Sequence, residues 1–318
     1  MSWLDLERPV VQAGMGGGLA GAALAASVSG AGGLGTIGFT APDELAAEIA
    51  AARERTDGPL AANLLLPFAR RAHWEAASRA DVVTTFWGKP LRRTGRPWLH
   101  QCGSVGEARA AHAAGADGVI CQGVEAGGHV RGATPALELL EQVRGALPDG
   151  YPLLVAGGLA NRDDVRNALA AGARAAVLGT RFVMSEECGA RRAYKERLME
   201  SRETVLTGLF GMGWPAPHRV VWNEAMEHWA APDGSEPRWL HAVQRLTATP
   251  LARLPMGAHA RMAAAQRPGR PFFGPLAPTA GGPRNLLDAG PLYAGESVAR
   301  IYDIRPAGEL VRLLAPGS

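Results

Sequence analysis

The sequence predicts a (β/α)8 TIM barrel of the α/β class, with a C-terminal lid segment rich in helices and loops. Three observations lead there. Short apolar runs alternate with helix-like runs from Val10 to Phe182, the order of a parallel sheet with crossover helices. Glycine-rich loops follow several of these runs, where barrel enzymes carry their sites. Finally, the stretch 113–120 is echoed by 170–177, each reading as a helix end, a glycine cap and the start of a buried strand.

The eight strand candidates are 10–14, 33–38, 60–66, 81–86, 97–102, 118–122, 152–156 and 175–178. Residues 19–31 are apolar but short and rich in Ala and Gly, so they read as a buried helix and not as a membrane span. Residues 43–55 place Leu45, Ala46, Ile49 and Ala50 on one helical face. Thr134 reads as an N-cap before Pro135 at the first helical position, and 135–147 carries Leu137, Leu140 and Val143 at helical spacing. The fourth crossover is defective. Only 87–96 separates its strands, with Gly88, Pro90 and Gly95 inside, so an irregular connection is expected there.

From about Tyr194 the rhythm changes. Trp214, Trp222, Trp229 and Trp239 appear among Pro- and Gly-rich segments, and 254–292 has little periodicity. The expected organisation is a barrel over 1–193, a lid or substrate-binding segment over 194–292, and a C-terminal segment 293–318 returning to the barrel wall.

The chain has 318 residues, 47% hydrophobic and 20% charged, enough for a sizeable core. The net charge is +3, but the arginines are mixed with acids and Lys89 and Lys195 are the only lysines. That argues against a nucleic-acid stripe. The first five residues lack a signal-peptide pattern, and no membrane partner is expected, so a cytoplasmic location is. Cys102, Cys121 and Cys188 have no metal-ligand spacing and read as small buried thiols.

Three loops carry the candidate chemistry. Gln122-Gly123-Val124-Glu125-Ala126-Gly127-Gly128-His129 follows the sixth strand and ends in a histidine able to exchange a proton near neutrality. Gly157-Gly158 follows the seventh strand, and Gly179-Thr180 the eighth. Loops after strands seven and eight of a barrel commonly bind phosphate against a helix N-terminus. Gln12, Asn63 and Gln101 offer amides suited either to a heterocycle or to turns.

Together, Gln12-Ala13-Gly14-Met15, the Glu125–His129 block, Ala156-Gly157-Gly158-Leu159 and Gly179-Thr180-Arg181-Phe182 closely resemble the nitronate monooxygenases, formerly called 2-nitropropane dioxygenases. The resemblance spans most of 9–200. It implies FMN at the barrel mouth. Gly158, Gly179 and Thr180 would surround its phosphate. Gln122, Gly127 and Asn63 would contact the flavin or its ribityl chain, and the Met15 backbone would approach the ring. His129 matches the family's active-site histidine. The implied reaction is oxidation of a nitronate by O2 to a carbonyl compound and nitrite. The alternative is an FMN-dependent NAD(P)H reductase of an enoyl thioester or a quinone, whose families look alike in these blocks. No Gly-x-Gly-x-x-Gly fingerprint follows a strand. The family's usual Ala-Gly-Gln near the C-terminus reads Ala294-Gly295-Glu296 here. A homodimer is compatible with this reading.

Overall fold

In the computed structural model, residues 6–252, 254, 256–270 and 273–315 are described. The five N-terminal residues read above for a leader lie outside them.

The chain alternates as predicted: β1 (Val10–Gln12), α1 (Ala22–Gly30), β2 (Gly35–Ile37), α2 (Pro42–Arg53), β3 (Leu60–Leu65), α3 (Arg71–Ala77), β4 (Val82–Phe86), β5 (Trp98–Cys102), α4 (Val105–Ala113) and β6 (Gly118–Gln122). Then follow β7 (Gly128–His129), α5 (Ala136–Arg144), β8 (Leu153–Ala156), α6 (Arg162–Ala170), β9 (Ala175–Leu178) and α7 (Thr180–Val183). The parallel order β1-β9-β8-β6-β5-β4-β3-β2 uses eight strands. A parallel bridge between Val11 and Leu34 closes β1 toward β2. The result is a nearly closed (β/α)8 barrel.

Its interior is filled by alternate strand residues. Val11, Leu34, Ala61, Val82, Leu99, Ile120, Leu154, Ala175 and Val177 form one buried cluster inside the barrel. The residues between them point outward, where helices cover them; Leu139, Leu140 and Val143 of α5 pack this way with Val119 and Val155. This two-faced burial explains why the strands read as unbroken apolar runs.

Several local expectations need correction. Leu45 and Ile49 of α2 are buried, but Ala50 is exposed. Leu137 is also exposed, and Leu139 takes the inward place in α5. The start of α5 is also displaced by one residue. Pro135, not Thr134, is the N-cap residue, with extended ψ of 148°. The cap comes instead from Glu125, whose carboxylate accepts the Ala136 N–H at 3.0 and 3.1 Å. The fourth crossover has no helix between β4 and β5, as its glycines and proline predict. Gly115 and Gly172, in the echoed segments, take positive φ of 84° and 102°. Cys102, Cys121 and Cys188 are buried and free.

After the barrel come α8 (Arg192–Glu200), β10 (Val205–Thr207), β11 (His218–Val221), α9 (Glu224–Trp229), α10 (Arg238–Ala252), α11 (Met256–Ala265), α12 (Leu286–Ala289) and β12 (Leu292–Tyr293). A 3-10 turn over Glu296–Arg300 and α13 (Ala307–Leu314) end the described chain. β11 pairs antiparallel with β10, with β12 and with β7, so this second small sheet grows directly out of the loop after β6. The α13 backbone is tied to α1 through the Gly308 N–H on Ser27 Oγ, and to α6 through Arg162 on the Leu313 carbonyl. No helix among the described residues is long and apolar enough to cross a membrane.

Candidate active site

Because the barrel strands are parallel, the loops after them open on one face. Met15, Gln122, Gly127, His129, Gly158, Gly179 and Thr180 all follow or end strands there, and Asn63 lies within β3. The Asn63 amide donates to the Gly14 carbonyl at 3.2 Å and accepts from Thr84 Oγ1 at 3.1 Å. It therefore ties the loop after β1 to β3 and β4. The Met15 carbonyl accepts the Ala20 N–H, closing that loop. Gln12, also considered, is fully buried and its Oε1 accepts the Thr36 N–H at 2.9 Å, so it serves the barrel wall.

Gln122 sets the histidine. Its Nε2 donates to the His129 carbonyl at 2.9 Å, and its Oε1 accepts the Arg131 N–H at 3.2 Å. The amide thus spans the loop and leaves one Nε2 hydrogen for another partner. On its other side, His129 pairs with His218 in the β7–β11 ladder. Arg219, 8% exposed, clamps the same loop from β11 by donating to the Val124 carbonyl at 3.0 Å. It also pairs with Glu296 at 3.2 Å, the residue at which the sequence departs from the family pattern.

The imidazole of His129 is enclosed by rings. It stacks on Trp214 with centroids 3.8 Å apart, and Tyr293 and His218 lie 5.6 and 5.4 Å away. Its Nε2 is buried without a hydrogen-bond partner. Burial, and then the His218 imidazole, hold its pKa well below the ordinary histidine value. His218 is itself pushed down to about 4 by burial. Both rings are neutral at physiological pH. The phenol of Tyr293 is kept protonated by burial and donates to the Pro275 carbonyl at 2.8 Å.

The glycine loops form a cradle. Gly157 and Gly158 have φ of 123° and 70°, a backbone that side-chain-bearing residues rarely adopt. At Gly127 a Cβ would lie 2.4 Å from the Gly295 nitrogen, so the loop after β6 and the 294–296 turn can touch only through glycine. Thr180 opens α7, whose Phe182 and Val183 N–H groups bond the Gly179 carbonyl at 2.8 and 2.9 Å. Its Oγ1 accepts the Gly295 N–H at 2.9 Å, which leaves the hydroxyl hydrogen to donate.

Sequence reasoning missed five contributors. Trp214 was visible only as one of several tryptophans after the barrel, and Tyr293, His218 and Arg219 carried no assigned role. Their roles depend on the β7–β11 pairing, and β7 is two residues long, too short to show a period. Trp87 was hidden in the irregular fourth crossover.

The nitronate monooxygenase family profile matches residues 2–101 and 89–317. The chain belongs to the nitronate monooxygenase family. It is accordingly a flavin-dependent oxidoreductase acting on small molecules. A Mycobacterium tuberculosis protein named (3aS,4S,5R,7aS)-5-hydroxy-7a-methyl-1-oxo-octahydro-1H-indene-4-carboxyl-CoA dehydrogenase is 32% identical over 243 residues, covering 70% of this chain and 66% of that protein's length. Among solved structures, FabK from Thermotoga maritima aligns with a TM-score of 0.76 and 28% identity, covering 98% of this chain and 93% of the other. The nitroalkane oxidase from Streptomyces ansochromogenes aligns with a TM-score of 0.72 and 29% identity, covering 97% and 95%.

Proposed function

We propose that this family member oxidises nitronates, the anions of nitroalkanes, with O2 and bound FMN, releasing a carbonyl compound and nitrite. The observation that carries the reading is the His129 imidazole: neutral, with Nε2 buried and unpartnered, at the mouth between the glycine cradle and the aromatic wall. A buried polar nitrogen without a partner is costly, and a ligand atom that meets it removes that cost.

The residues present fit a flavin mononucleotide. Gly158, Gly179 and Thr180 would hold its phosphate through backbone N–H groups and the Thr180 hydroxyl. The free Nε2 hydrogen of Gln122 and the amide of Asn63 would meet the ribityl chain or ring edge. Gly127 and the Met15 backbone would line the ring. When bound, FMN supplies the electron acceptor for the substrate and the partner for O2.

His129 treats the anion and its neutral parent differently. As a neutral donor it meets a nitronate oxygen and stabilises its charge. For a neutral nitroalkane it would instead have to accept a proton, and its depressed pKa makes it a weak base. The preformed nitronate is therefore the better substrate. Residues 194–292 act as a lid over the mouth, a reading supported by Trp214 stacked on His129 and by β11 paired with β7. We place the protein in the cytoplasm and allow for a homodimer.

The test is oxygen uptake and nitrite release by the FMN-loaded protein, with ethylnitronate and nitroethane compared. Faster uptake with the nitronate is expected, and no nitrite from either compound would contradict the reading. Heat-released cofactor should run as FMN; release of FAD would overturn the single-phosphate cradle. A reductase of an enoyl thioester is the second reading, supported by the relative named for a CoA ester. NADPH-driven flavin bleaching with turnover of crotonyl-CoA would establish it.

A further inference from the structure

Trp87 stands directly after β4, where that strand delivers the chain to the mouth. Its φ of 62° is the only positive value at a non-glycine residue among the described residues. A bulky aromatic residue is disfavoured there, and such strain persists where the surroundings over-determine it, characteristically at ligand sites. The surroundings here are rings and a cation. Phe86 lies 5.6 Å away, Trp214 meets the indole edge-on at 5.3 Å, and the Arg131 guanidinium sits 4.5 Å over the ring. The Arg131 backbone N–H is held by Gln122, the residue that also holds His129. Trp87 is thereby fastened to the loop that carries the histidine.

The Nε1 atom of Trp87 is buried with no hydrogen-bond partner. An indole N–H only donates, and buried tryptophans ordinarily satisfy it. His129 Nε2 is unpartnered in the same way. Trp214 touches both residues, with its face on His129 and an edge-on contact to Trp87. Two unsatisfied polar atoms therefore flank one indole at the barrel mouth.

We propose that Trp87 binds substrate, donating its Nε1–H to an oxygen of the ligand. The inference rests on the proposed function for the identity of that oxygen, which is one of the two on a nitronate, with His129 serving the other. The ligand class it selects has two oxygens on one trigonal atom. A ligand lacking the second acceptor would leave the N–H buried and unpaired, and would be rejected for that reason. The cation over the ring draws charge from the indole and makes the N–H a better donor.

The experiment uses FMN-loaded protein carrying 15N in its indole nitrogens, with propionate as an unreactive two-oxygen probe. The Trp87 signal is identified by its absence in Trp87→Phe, or in Trp87→Tyr if the first variant folds poorly. Saturable downfield movement of that signal is expected, and the variant should bind propionate about tenfold more weakly, with flavin content unchanged. A signal that propionate does not move overturns the proposal. So does a variant that loses melting temperature but keeps the wild-type dissociation constant, which would make the residue a packing element against Trp214. The proposed reaction is judged separately, by nitrite from ethylnitronate. A moved signal without nitrite keeps the binding role and rejects the reaction; nitrite with an unmoved signal does the reverse.

Discussion

The imidazole of His129 lies face to face with the indole of Trp214, centroids 3.8 Å apart and planes 21° apart. One ring comes from a barrel loop and the other from the segment after the barrel, so that segment helps bury the barrel's histidine. Trp214→Ala admits water to the imidazole. Its pKa should then rise toward the ordinary value, because desolvation is the largest cause of the depression. An NMR titration of the His129 ring in wild type and variant measures this, and identical midpoints would sever the link.

His129→Ala should leave the flavin bound, since the proposed phosphate and ring contacts come from other segments. Turnover of ethylnitronate should fall by about 10²–10⁴-fold, the usual range for a positioned donor or proton-transfer group. Stopped-flow reduction of a variant with full flavin absorbance isolates the chemical step. A rate within a few-fold of wild type removes His129 from the mechanism.

Buried histidines should make the fold acid-sensitive. His218 and His100 are each pushed down to about 4 by burial. His218 is fixed as a neutral ring: Nδ1 donates to the Ala216 carbonyl at 2.9 Å, and Nε2 accepts the Phe210 N–H at 3.3 Å. Between pH ~6.5 and ~4 the unfolded chain binds protons that the folded chain refuses. The stabilisation is complete above the unfolded value and is lost as pH falls through that window, by about 3 kcal/mol for each histidine. Urea denaturation at a series of pH values should show this slope, and His218→Gln should flatten it. Constant stability down to pH ~4 would contradict the assignment.

Glu125→Ala should cost about 1 kcal/mol through loss of the α5 cap. Without that side-chain anchor the loop at 125 should also loosen against the Gly295 turn, which it meets through the Glu125 backbone carbonyl and the Glu296 N–H at 3.0 Å. Chemical denaturation measures the first effect and flavin affinity the second. Wild-type values for both would mean that solvent replaces this cap without cost.

The barrel was legible because its signals are local and repeated. Buried strands such as Gly118–Gln122 read as apolar runs, and Gly115 and Gly172 mark the helix ends before two of them. His129 and Thr180 stood out as candidates because glycine loops at strand ends are conspicuous in sequence. The α5 start was misread because its cap, Glu125, comes from the preceding loop and not from the adjacent Thr134. The placing of His218 and Arg219 beside His129 was invisible because it is created by a two-residue strand pairing with a distant segment. Trp87 stood in a stretch whose irregularity was predicted but whose backbone angle no sequence pattern encodes.

Anaerobic reduction of the FMN-loaded protein by ethylnitronate, set beside reduction by NADPH, tests the central claim most directly. The account predicts that ethylnitronate bleaches the flavin, with admission of O2 restoring the colour and yielding nitrite. Bleaching by NADPH alone, with ethylnitronate leaving the flavin oxidised, would contradict it.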